Sequence, residues 1–175
     1  MKFEIYWNDI CKIHSFTKHY LLLAEELSAE GDLFLQPLKE HRDAYDHIIR
    51  VYSAKMGMNK VEDIDNYMRK NMSKALGHEY RAFFDTADWL SLICRMKINN
   101  ILEGKSLEEI EGKYPRYKEL KKILLDMPAQ IAHLRENKDV GKDSLSLIDV
   151  VDEYTEILDN LLKYYKELVI SMENL

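Results

Sequence analysis

His41 and Glu79 each stand in a row of apolar residues at helical spacing, His41 among Leu38, Tyr45, Ile48 and Tyr52, and Glu79 among Met72, Leu76 and Phe83. A carboxylate taken out of water needs a donor beside it, and an imidazole on a neighbouring helix supplies one. Such a pair can work as general acid and base, give two ligands to a metal ion, or hold two helices in register. A buried polar pair of structural role is the expectation, because two residues are too few for a complete site. A carboxylate-bridged two-metal bundle needs Glu-x-x-His on two helices, and the sequence has no such motif. It also lacks CxxC, HExxH, GxGxxG and a Walker-type loop. No metal and no cofactor is expected.

Two charged rows come next, Glu40/Asp43/His47/Arg50 and His78/Arg81/Asp85/Asp88. Each is expected to be a solvated helix face, the alternative being the wall of a cleft between protomers. The first row overlaps the stretch Arg42-Asp43-Ala44-Tyr45-Asp46-His47, an arginine with a polar residue after it and a histidine five positions on. This stretch resembles the Arg-x4–6-His signature of the HEPN superfamily, small helical bundles that often dimerise and include metal-independent ribonucleases. The resemblance implies that Arg42 binds phosphate and that His47 is general acid or base at a ribose hydroxyl, in a cleft shared by two protomers. Positions five apart on a regular helix point about 140° from each other, so one cleft holds both only if it wraps the helix.

The most basic stretch runs from Lys113 to Lys122 and carries Lys113, Arg116, Lys118, Lys121 and Lys122 with Tyr114 and Tyr117 between them. It reads either as a contact for RNA or another anion, or as a soluble helix start whose lysine stems lie along the surface.

The elements that must position these residues are helices. Apolar positions recur at steps of three and four from about residue 61 to 103 with no proline, which predicts a long central helix, about 60 Å if unbroken. Gly77 marks either a kink in it or a place where another backbone approaches. Before it come a helix from about 8 to 30, ended by Gly31-Asp32, and a second from Pro37 to about 56. His14 and His19 fall off the apolar stripe of the first and are expected to face solvent. The short link at Gly57-Met58-Asn59-Lys60 makes the second and central helices antiparallel. That register sets Tyr52 against Met68, Ile48 against Met72, Tyr45 against Leu76, Leu38 against Phe83, and His41 against Glu79. A short turn at 106–109, a helix that Pro128 should kink or divide, a loop at 137–143 and a last helix over 144–172 complete the chain. The last helix is expected to bury Ile148, Val151, Thr155, Leu158, Leu162, Tyr165, Val169 and Met172.

The fold expected is all-α, an up-and-down bundle of about five helices in one domain over residues 1–175. Of the residues, 46% are hydrophobic and 32% charged, enough to bury a core and keep a wet surface. The formal charge of −6 argues against a general nucleic-acid-coating surface. Two distant cysteines, Cys11 and Cys94, and a start without a signal pattern fit a cytoplasmic protein with reduced thiols. A central helix longer than its neighbours needs cover from a second copy, so a homodimer is expected. Two readings of function follow: a dimerisation or partner-binding module without catalysis, and, as the resemblance implies, a HEPN-like metal-independent ribonuclease or toxin–antitoxin or defence component using Arg42 and His47 at a dimer cleft.

Overall fold

The computed structural model describes residues 2–28, 34–136 and 144–172. Among these the chain is all-helical, with α1 (Lys2–Leu27), α2 (Leu35–Lys55), α3 (Ile64–Leu102), α4 (Leu107–Lys113), α5 (Tyr117–Glu136) and α6 (Ser144–Met172). The expected stop at Gly31-Asp32 and the expected loop at 137–143 lie outside the described residues. No described helix is long and apolar enough to cross a membrane.

The α3 helix starts where the Asp63 carboxylate accepts from the Asn66 backbone N–H at 3.0 Å, satisfying one of the first-turn donors. It then runs 39 residues, or about 58 Å, without a break. Gly77 neither ends it nor serves a close approach: a Cβ there would meet nothing nearer than the Arg81 guanidinium at 3.6 Å. Gly77→Ala is therefore expected to raise stability by about 0.5–1 kcal/mol in urea denaturation, since glycine inside a helix costs that much relative to alanine. Gly57 and Gly104 do need their freedom, both lying at φ +72° just past a helix end. The short α4 is capped by Ser106, whose hydroxyl accepts from the Glu109 N–H. Pro128 sits exposed within α5, which continues past it as one helix instead of dividing.

Three helices pack on α3, namely α1, α2 and α6, while α6 also meets α1, α4 and α5. The middle of the core is aromatic. Phe83 and Phe84 of α3 meet Tyr154 of α6 edge-on at 6.0 and 5.4 Å between centroids, and Phe83 meets Tyr20 of α1 at 6.4 Å. The Tyr154 hydroxyl is not lost to the core, because it donates to Asp88 at 2.5 Å, and Asp88 also accepts from Arg135 of α5.

Two helices turn differently from the expectation. Against α3, α2 buries Pro37, Ala44, Val51 and Ala54, leaving Leu38, Tyr45 and Tyr52 exposed. Small residues let two backbones approach closely, and that packing outweighs the burial of the larger side chains. The proposed partners Tyr45–Leu76 and Leu38–Phe83 thus do not describe the seam. In α6 the buried row is Val151, Tyr154, Leu158, Leu161, Tyr164, Leu168 and Met172. Tyr154, Leu161, Tyr164 and Leu168 replace Thr155, Leu162, Tyr165 and Val169, a turn of the helix by about one residue, and Ile148 is half-buried.

Candidate functional site

Three helices bring three donor side chains to one point. Glu79 lies on the buried side of α3 and is only 4% exposed. From α2, His41 places its Nδ1 at 3.2 Å from Glu79 Oε1, and from α1, His14 places its Nδ1 at 3.2 Å from Glu79 Oε2. With a proton on Nδ1, each imidazole donates to the carboxylate. The two rings meet edge-on with centroids 4.9 Å apart. His14 was expected in solvent; its side chain is 52% exposed, and its inner edge belongs to this cluster.

The cluster opens on a cleft of about 340 Å³ between α1, α2 and α3. Trp7, Ile10, Tyr45 and Ile48 give it apolar walls, and Cys11 and Ser15 complete the lining. His14 follows Trp7 and Ile10 by seven and four residues, which places all three on one side of α1. That spacing was the signal available in the sequence. A carboxylate held between two imidazoles can accept, hold and return a proton, and one nitrogen or oxygen from each of the three residues lies within 4.8 Å of the other two.

The charged row of α2 is solvated only in part: Arg50 is exposed and pairs with Asp46, whereas Glu40 and His47 turn to α3. Glu40 accepts from His78 Nδ1 at 2.8 Å and from Arg81 Nε at 2.9 Å, both on α3. His47 Nδ1 is 2.8 Å from Asn71 Oδ1, and its ring stacks on His78 at 5.4 Å. Burial alone would raise the Glu40 carboxyl, but the hydrogen bonds and charge of His78 and Arg81 outweigh it and hold the group below the usual carboxylate range. A carboxyl depressed in the folded state gives stability that is present at neutral pH and disappears as pH falls through its folded value. Glu40→Gln is therefore expected to flatten the acid side of the stability profile, read by urea denaturation between about pH 6 and 3. An unchanged acid slope would contradict this assignment.

Arg42 and His47 do not meet within the chain. The Arg42 side chain is 70% exposed and grips Asp43 through Nε and Nη2 at 2.9 and 2.7 Å, whereas His47 turns into the α2–α3 seam. The basic stretch is also largely spoken for. Arg116 donates to Glu119, to Glu167 and to the Tyr164 hydroxyl, and lies 4.5 Å from the centroid of the Tyr164 ring, tying the start of α5 to α6. Lys113 pairs with Glu109 and Lys118 with Glu111, both at 3.8 Å, while Lys121 and Lys122 remain exposed. Two lysines are a thin basis for an anion site.

Neither protein-family models, nor curated proteins, nor solved structures give a match to this chain.

Proposed function

We propose that this chain is a self-associating helical module, joined to a second copy through the outer face of α2. The observation that carries the reading is a row of exposed apolar side chains, Leu35, Leu38, Tyr45, Ile49, Tyr52 and Met56, between 39% and 72% exposed. Their steps of three, seven, four, three and four are those of a heptad seam, with Arg42 filling the skipped position. Packed cores leave few such rows open, and a continuous apolar stripe on a single helix marks an interface. The six side chains present on the order of 600–700 Å² per copy, close to the roughly 800 Å² per partner of a stable interface.

A two-fold antiparallel pairing of α2 helices matches Leu35 with Met56, Leu38 with Tyr52, Arg42 with Ile49 and Tyr45 with its own copy. Asp46, paired with Arg50 in its own copy, then falls near the partner copy's Arg42, which Asp43 already holds. In this reading the helices form one up-and-down bundle with α3 at its centre, acting in the cytoplasm as a homodimer. The cleft at Glu79 opens beside the seam, because Tyr45 belongs to both.

RNA cleavage by a HEPN-like pair is the weaker reading on geometry. Arg42 does lie on the face a second copy would cover, but His47 is engaged by Asn71 on the far side of α2.

Light scattering on the purified chain tests the proposal. A dimer is expected at about 10–100 µM, and Tyr45→Glu with Ile49→Glu is expected to weaken it at least about 100-fold with helical circular dichroism unchanged. A monomer at all concentrations, or a dimer indifferent to both substitutions, overturns it. Cleavage of cellular RNA by the wild type but not by His47→Ala, with a chelator present, would favour the HEPN-like reading instead.

A further inference from the structure

We propose that His14, His41 and Glu79 form a binding site for a divalent transition-metal ion, with at least one coordination position open to the cleft. This inference does not depend on self-association.

The donor set comes first. Two imidazole nitrogens and one carboxylate oxygen suit Zn²⁺, Co²⁺, Ni²⁺ or Fe²⁺, whereas Mg²⁺ and Ca²⁺ favour oxygen throughout. The spacing comes second. Ligands about 2.0–2.1 Å from an ion stand about 3.0–3.4 Å from one another, and both imidazoles already hold Nδ1 at 3.1–3.4 Å from the Glu79 oxygens. All three donor atoms lie within 4.8 Å of one another, so at most the two nitrogens must draw together. Entry of the ion needs no proton to leave the protein when both rings are neutral. Each moves its hydrogen from Nδ1 to Nε2 and presents the Nδ1 lone pair beside the Glu79 oxygens.

Third, the site can be reached and is not closed. His14 is half exposed, and the cleft beside it is large enough for water and a compact ligand. Three protein ligands with an open fourth position is the arrangement in which a metal activates a bound water or polarises a bound oxygen. The class of molecule that fits is small, with an oxygen or nitrogen donor for the metal and an apolar body against Trp7, Ile10 and Ile48.

Titration of the metal-free chain with Zn²⁺ and Co²⁺ decides the matter. One ion per chain is expected, with a dissociation constant of about 1 µM or tighter, visible d–d bands for Co²⁺, and quenching of Trp7 fluorescence as Co²⁺ binds. His14→Ala, a half-exposed change that leaves the fold intact, is expected to weaken binding at least about tenfold, and Glu79→Gln to do the same. His19→Ala is expected to leave binding unchanged, since His19 belongs neither to the cluster nor to the cleft lining, while Cys11→Ser, on the cleft wall, tests whether the thiol takes the place of a histidine as ligand. The proposal falls if no ion binds, if binding survives both His14→Ala and Glu79→Gln, or if it depends on Cys11 and not on His14.

Discussion

Phe83→Ala is expected to lower the unfolding free energy by about 3–5 kcal/mol and the melting temperature by roughly 6–20 °C. Phe83 is fully buried on α3 and touches rings from both α1 and α6, Tyr20 and Tyr154, besides Phe84. Truncation removes the transfer energy of the ring and leaves a cavity that α1 and α6 cannot close, since both are also held elsewhere along α3. The edge-to-face contacts add to the loss. With a total stability of about 5–15 kcal/mol for a chain of this kind, the variant stands near the limit of folding. Phe83 follows Glu79 by one turn, so loosening α1 against α3 at this point also loosens His14 against Glu79. Urea and thermal denaturation followed by circular dichroism give the number. A loss below about 1 kcal/mol would mean that α1 and α6 do not close on α3 through these rings.

How far the sequence discloses this arrangement depends on whether a contact is local or remote. The course of α3 was legible because its apolar spacing meets no proline. The pairing of His41 with Glu79 was legible because a short link between α2 and α3 leaves few registers. The rotation of α2 was not. Its seam is made by the small side chains of Ala44, Val51 and Ala54, whereas the larger Tyr45 and Tyr52 lie outside. A periodicity argument follows the heavy residues, while helix packing follows shape.

The spacing of His14 with Trp7 and Ile10 marks a shared face of α1, but what that face meets was not legible, for a related reason. His14 lies 65 residues from Glu79, on a helix with no short connection to α3, so nothing local sets the register between them. Arg116 shows the same limit from the other side. Read along the chain it is part of a basic run, but its partner Glu167 arrives from 51 residues away and neutralises it. Charge counted along a sequence is not charge presented on a surface.

The second large effect separates the two roles open to the His41–Glu79 pair. His41→Leu is expected to cost about 2–4 kcal/mol, because it leaves a buried carboxylate with only the half-exposed His14 as donor. Adding Glu79→Met to it is expected to restore wild-type stability or exceed it by about 1–3 kcal/mol, since no charge then remains buried and the apolar side chains fill the space. A pair kept to pin α2 on α3 would behave otherwise, and the double variant would be as unstable as the single. The seam has other pins. Glu40 bridges to His78 and Arg81, and His47 bridges to Asn71, so the register stands without His41 and Glu79. A double variant that folds better than the wild type yet no longer takes up Zn²⁺ is what a site held against stability would give. Urea denaturation of the wild type, the single and the double, read as one cycle, measures the coupling directly.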